Sequence, residues 1–321
     1  MTHCITIDDV RAAARRISGE VRRTPVVPSD ALSALAGRPV VAKCESMQWT
    51  GSFKIRGATN AVRALGEAEA RRGVVTHSSG NHALALATAA RARGIPAHVV
   101  MPTGASEVKR RAVVAAGATV HRCGPTVAER IAACDAVARE TGATAVPPYD
   151  HPLVIAGQGT IGLELSEQVP EAATVVVPVG GGGLIGGIAV ALRALWPGIR
   201  IVGAEPALAD DAAESRRTGR VAPQRPPVSI ADGLRAPLGA LTFPLVRDLV
   251  DDIIVVDEDA IVAAMRFTFE HAAMVIEPSA AVGIAALASA RCGGDESRPA
   301  AVVLCGANAD LARLPWLAEH G

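Results

Sequence analysis

Short β-branched runs alternate with longer alanine-rich stretches along most of this chain, and that alternation limits the fold more than any other feature. RGVVTHS reads as a strand and NHALALATAARARG as the helix after it. AHVVMP with SEVKRRAVVAAG, and TVHRCG with VAERIAACDAVARETG, repeat the pair. A second series runs through TVVVPV, LIGGIAVALRALWPG and RIVGAEP, then DIIVVD, a helix near 258–272 and AAVVLCG. Strand–helix–strand order calls for parallel sheets with helices on both faces. The 321 residues suffice for two such α/β units. Half of them are hydrophobic but only 2% are aromatic, so the core has to be built from Ala, Val, Leu and Ile. The segment 206–236, where Pro223, Pro226 and Pro227 cluster with charges, is expected to be irregular.

Several function classes are disfavoured at this level. The 32 basic residues balance 32 acidic ones, so neither nucleic acid nor an anionic membrane is an expected partner. The eight histidines form no zinc-like pattern. Cys4, Cys44, Cys123, Cys134, Cys292 and Cys305 form no C-x-x-C and no regular framework, which fits reduced thiols in the cytoplasm. The first residues, MTHCITIDDVRAAARR, lack the apolar segment of a signal peptide. Other apolar runs are short or broken by Gly and Pro, so no membrane span is expected.

Chemistry concentrates in a few turns. Lys54 lies in Thr50-Gly51-Ser52-Phe53-Lys54-Ile55-Arg56-Gly57-Ala58, where the helical pattern ATNAVRALGEAEA begins. A lysine amine forms a Schiff base with an aldehyde only when neutral, and burial favours the neutral form. Most lysines are solvated surface charges, so Lys54 alone says little. Gly180-Gly181-Gly182-Gly183-Leu184 follows a strand and opens a helix, which suits a phosphate held by backbone N–H groups. No Gly-Lys-Ser/Thr follows, so it is not a P-loop. Gly181, Gly183 and Gly186 do satisfy G-x-G-x-x-G, and Glu205 ends the next strand where a nicotinamide ribose acid could sit. A nicotinamide oxidoreductase is therefore an alternative of another class. A tight turn with no ligand is the plainer reading. Ser78-Ser79-Gly80-Asn81-His82-Ala83 is a second polar turn between strand and helix, either a seat for a carboxylate or simple helix capping. Gly157-Gln158-Gly159-Thr160-Ile161-Gly162 is a third glycine-rich stretch. Cys305-Gly306-Ala307-Asn308 follows the last strand, and by residue type Cys305 reads first as a small buried hydrophobe.

TGSFKIRGA, SSGNHA, GQGTIGLE, VPVGGGGL, IADGL and IEPSAA occur in that order across nearly the whole chain. Together they resemble the pyridoxal-phosphate enzymes of the serine/threonine dehydratase and serine racemase group. The resemblance implies fold type II, the tryptophan-synthase-β-like fold: two three-layer α/β domains with parallel-rich sheets. The large domain would combine 1–49 with 146–321, and 50–145 would be a small mobile domain. The cofactor implied is pyridoxal 5'-phosphate (PLP). Lys54 would carry it as a Schiff base and then act as base on the α-proton. Phe53 would pack beside its ring, Asn81 would meet its hydroxyl, and Gly180, Gly181, Gly182, Gly183 and Leu184 would hold its phosphate. Gly233 and Glu277 would complete its surroundings. Cys305 would face the pyridine nitrogen as a neutral partner, a choice thought to favour elimination over transamination. Ser78, Ser79, Asn81, His82 and Arg130 would line the substrate site. Glu205, Ala209 and Asp211 match the divalent-cation positions of the racemase-like branch. Two carboxylates with a carbonyl suit Mg²⁺ or Ca²⁺, although surface acids near a loop are common.

The resemblance implies an ammonia-lyase that converts a β-hydroxy amino acid (L-threonine, L-serine or 3-hydroxyaspartate) to a 2-oxo acid and ammonia. The runner-up is a serine racemase, with Ser79 opposite Lys54, because racemisation needs acid/base groups on both faces. Leu84, Ala236 and Ala307 depart from the family pattern, and the first two remove polar groups near the substrate. A non-catalytic metabolite sensor on the same fold is opposed by the intact Lys54. A homodimer is a family expectation.

Overall fold

A computed structural model describes residues 3–223, 228–310 and 314–316. Its strands are β1 (Val26–Pro28), β2 (Val40–Lys43), β3 (Val74–His77), β4 (Ala97–Pro102) and β5 (Thr119–Cys123), then β6 (Thr144–Ala145), β7 (Thr174–Pro178), β8 (Arg200–Pro206), β9 (Asp252–Val256) and β10 (Ala300–Val303). They form two sheets. One has six strands in the order β1-β2-β10-β7-β8-β9, and the other has four in the order β5-β4-β3-β6. Among the described strands only β1 runs antiparallel, Val26 facing Lys43. Every residue of β7 and β10 is buried, which is why these runs read as unbroken valine and alanine rather than as alternation.

The chain is therefore an α/β protein with two parallel-rich sheets, and the strands expected from sequence all form. Three differences have local causes. ATNAVRALGEAEA is not one helix: it divides into Lys54–Ala64 and Glu67–Arg72. Gly66 starts the second helix, and Glu69 reaches back to accept from the Gly66 N–H at 3.0 Å. The segment 206–236 is less irregular than expected, because it contains the helix Asp211–Thr218 and a turn of 3-10 helix at Asp232–Leu234. Pro223 lies in irregular chain, while Pro226 and Pro227 fall outside the described residues. The short strands β1 and β2 carry too few residues for a periodic signal.

In the six-stranded sheet the chain moves from β7 outward through β8 to β9, then returns to place β10 on the other side of β7. The loops after β7 and β10 part at this switch point and leave a crevice beyond the strand ends. The helix Lys54–Ala64 crosses toward that crevice, packed against the helix Pro152–Gln168. The two backbones approach closely at Gly57 and Gly157: a Cβ on Gly157 would sit 2.6 Å from the Gly57 Cα.

That helix is anchored by a buried ionic network. Arg56 donates to both Glu45 oxygens at 2.8 Å, and to Glu164 at 2.6 and 2.9 Å. Lys43, fully buried in β2, donates to Glu164, to the Thr24 carbonyl and to Gln168. Burial alone would raise the Glu45 carboxyl, but Arg56 reverses this and holds it below its ordinary range. Removing one partner strands buried charge, which costs about 3–5 kcal/mol. Arg56→Leu is therefore expected to lower unfolding free energy by about that amount in urea titration.

Candidate active site

Phe53 and Lys54 are stitched to the segment that follows β10. The Phe53 N–H donates to the Cys305 carbonyl at 3.1 Å, and the Ala307 N–H to the Gly51 carbonyl at 2.9 Å. Ser52 bridges Gly306 antiparallel. The first residue of the helix, Lys54, thus faces the crevice with Cys305 beside it. Its Nζ donates to the Pro148 carbonyl at 2.8 Å and lies 5.0 Å from the centre of the Phe53 ring. Burial pulls the Lys54 amine down to about 8, against the opposing pull of Cys305 and Glu277.

After β7 the chain runs through Gly180, Gly181, Gly182 and Gly183, all buried, into the helix Gly183–Leu195. Gly182 has φ +82, which favours glycine, and no side chain caps the helix. A buried helix start with no cap leaves N–H groups unsatisfied and attracts an anion. Thr242 uses the Gly181 carbonyl at 2.7 Å but no N–H of the loop. Leu184 is buried in the first turn. Tyr149, the chain's one tyrosine, lies against the glycines: a Cβ on Gly181 would be 2.5 Å from its ring. The dinucleotide reading fails here. Glu205 is fully buried, and its two oxygens accept from the N–H groups of Ala212 and Ala213 at 2.9 and 2.8 Å, so it serves a helix start rather than a ribose.

Asn81 and Glu277 meet across the crevice. The Asn81 amide donates to both Glu277 oxygens at 2.8 and 3.0 Å and accepts from Asn308 at 2.8 Å. Burial pushes the Glu277 carboxyl up to about 7, partly offset by these Asn81 donors. The Gly233 N–H donates to Ser279 Oγ at 3.0 Å, close to Glu277. Cys305 is buried and its thiol is pushed well above the ordinary range, by burial first and then by the charge of Glu277.

The helix Asn81–Arg93 starts at Gly80 with no side-chain cap, so neither Ser78 nor Ser79 caps it. Four other helices do have side-chain caps, from Thr6, Ser29, Thr126 and Asp257. His82 is buried with Nε2 3.0 Å from the Val146 carbonyl. A carbonyl only accepts, so Nε2 carries the proton. Burial and then Lys54 hold the ring down at about 3, so it is neutral and Nδ1 is a bare acceptor with no hydrogen-bond partner. The His82 side chain therefore cannot donate to a carboxylate. A carboxylate at this turn has to use the N–H groups of the first helical turn.

Arg130 stands apart from this group. Its charge registers on His77 and Cys123, and its Nε is buried without a hydrogen-bond partner. Asp211 lies near enough to raise the Tyr149 hydroxyl, after burial and Asp150. Among the described residues no three His, Cys, Asp or Glu side chains form a cluster fit to hold a metal ion. Ala209 precedes that helix as a buried residue whose only possible ligand is its carbonyl. Sequence reasoning missed Pro148, Ser279 and Asn308. Pro148 acts through its backbone and leaves no residue-type signal. Asn308 was legible only as the polar end of Cys305-Gly306-Ala307-Asn308.

The comparisons agree with this arrangement. Residues 17–306 match the family model described as pyridoxal-phosphate dependent enzyme. The chain belongs to the pyridoxal-phosphate dependent enzyme family. A serine racemase of Oryza sativa subsp. indica is 46% identical over 309 residues, covering 95% of this chain and 91% of the relative. A beta-hydroxyaspartate dehydratase of Paracoccus denitrificans (strain Pd 1222) is 43% identical, covering 97% and 98%. The structure of maize serine racemase superposes with a TM-score of 0.95 at 45% identity, covering 99% of this chain and 98% of that one. The crevice suits the family cofactor on its own geometry. The uncapped glycine helix start accepts a phosphate, and a lysine amine with depressed basicity stands ready for the aldehyde.

The pH dependence of cofactor uptake follows from the Lys54 value. The amine is charged below about 8 and cannot attack an aldehyde. Uptake of PLP by apoprotein, followed by visible absorbance, is expected to slow about tenfold per pH unit below that value and to level off above it.

Proposed function

We propose that this enzyme is a PLP-dependent ammonia-lyase acting on a β-hydroxy amino acid, L-serine, L-threonine or 3-hydroxyaspartate, with release of a 2-oxo acid and ammonia. The observation that carries the proposal is Lys54 Nζ in a desolvating crevice beside a neutral Cys305 and opposite a glycine-lined helix start. Relatives named as a dehydratase and as serine racemases support both this reading and serine racemisation.

In this reading Gly180, Gly181, Gly182, Gly183 and Leu184 hold the cofactor phosphate through backbone N–H groups, with Phe53, Asn81, Gly233 and Glu277 around the ring. When bound, the cofactor supplies an electron sink for the charge left as the α-proton departs. Lys54 Nζ takes that proton, and a basicity near neutral suits a general base. The Cys305 thiol keeps its own proton at neutral pH, so as partner of the ring nitrogen it would supply no charge there, which would favour loss of the β-hydroxyl over transamination. The open first turn of the helix Asn81–Arg93 seats the substrate carboxylate, with Ser78 and Ser79 at its edge. Closure is assigned to the part of 50–145 that carries the four-stranded sheet, moving against 1–49 with 146–321, while the helix Lys54–Ala64 stays clasped through Arg56 to Glu45 and Glu164.

Lys54→Ala is expected to abolish both the yellow colour and 2-oxo acid formation, and full activity in that variant would remove the assignment. Racemisation is favoured by a specific observation, since Ser79 is released from any capping duty. With L-serine in D₂O, Ser79→Ala is expected to stop D-serine formation and leave pyruvate formation largely intact.

A divalent cation, Mg²⁺ or Ca²⁺, at Glu205, Asp211 and the Ala209 carbonyl is part of the proposal. Burial pushes the Glu205 carboxyl up to about 8, Asp211 and Asp210 add to the rise, and a hard ion on the remaining lone pairs of its oxygens would offset that cost. Mg²⁺ at tenfold its dissociation constant is expected to raise the melting temperature by about 2–4 °C, and Glu205→Gln to remove the response. A homodimer in the cytoplasm completes the reading. All six cysteines are free, and among the described residues no helix is long and apolar enough to cross a membrane.

A further inference from the structure

β4 and β5 are neighbours in the four-stranded sheet, and β5 is its edge. In their register His121 sits opposite Val100, two residues from His98, so both histidines project from the same face. His98 Nδ1 and His121 Nε2 are 3.1 Å apart, and the ring centres 5.3 Å apart at 45°. Neither residue belongs to the crevice around Lys54.

We propose that His98 and His121 together bind a borderline transition-metal ion of the Zn²⁺, Ni²⁺ or Cu²⁺ class. Two imidazole nitrogens on one ion at about 2.0–2.1 Å stand about 2.9 Å apart in square-planar geometry and about 3.4 Å apart in tetrahedral geometry. The observed separation is that of an N–H···N hydrogen bond and falls between the two, so moving the donor ring's proton to its other nitrogen, with small ring rotations, brings both lone pairs onto one ion. Both rings are half-buried, which leaves them reachable from solvent. His98 is held below its ordinary range by burial and by His121, so its ring is neutral and able to ligate at neutral pH.

Glu140, in the last turn of the helix Val127–Thr141, is exposed and lies near enough for its charge to register on His98. It can swing in as a third ligand, with water completing the shell. Imidazole nitrogens select borderline ions, whereas the oxygen donors at Glu205 suit hard ones. Metal bound here would clip the edge strand β5 to β4.

The test uses tag-free, PLP-loaded holoenzyme titrated calorimetrically with Ni²⁺ and examined with Cu²⁺ by electron paramagnetic resonance. One Ni²⁺ per chain, a Cu²⁺ spectrum with two nitrogen ligands, and at least about tenfold weaker Ni²⁺ binding in both His98→Gln and His121→Gln are expected. Circular dichroism and retained yellow colour verify that each variant is folded. No Ni²⁺ binding by the wild-type chain would overturn the proposal. So would binding that survives either substitution unchanged, because the two rings are required together.

Discussion

The crevice depends on one buried ionic cluster. Arg56 sits two residues after Lys54 on the same helix and is clasped by Glu45, from the turn after β2, and by Glu164, from the helix Pro152–Gln168. Lys43 enters the same cluster from β2. Charges this deep are tolerated only with every partner in place. The helix therefore has one position in which Arg56 is satisfied, and that position presents Lys54 to the space beyond β7 and β10. Gly57 and Gly157 let the two helices close enough for the clasp to form.

Desolvation, the same force that makes this cluster costly, sets the chemistry of the crevice. It drives Lys54 down toward neutrality, holds His82 uncharged, pushes Glu277 up to about 7 and keeps the Cys305 thiol protonated. The elements there that favour charge are the uncapped starts of the helices Gly183–Leu195 and Asn81–Arg93, whose N–H groups favour an anion. A phosphate is held while the groups near the reacting atoms stay close to their neutral forms, ready to exchange protons.

Much of this was legible beforehand. Alternating strand and helix patterns indicated two parallel-rich sheets, because parallel strands buried on both faces leave unbroken β-branched runs. The glycine run was legible because close backbone approach leaves glycine as the fitting residue. The break at Gly66 was not, since an alanine-rich pattern continues across it, and the contacts there, Arg93 on the Leu65 carbonyl and Glu69 on the Gly66 N–H, exist only in the folded chain. Nor was the tautomer of His82, which rests on a carbonyl from Val146, distant in sequence. The Asn81–Glu277 pair was equally hidden, since its members are 196 residues apart.

The sequence by itself determined the strand–helix order, the lysine at a turn and the glycines of the anion seat, because periodicity and backbone sterics are local properties. Only the tertiary structure decided that Glu205 faces a helix start rather than a ribose, that His82 offers an acceptor, and that His98 meets His121 across β4 and β5. Those outcomes depend on which groups share a dry space or a strand register. Burial and hydrogen-bond direction exist only once distant segments have packed.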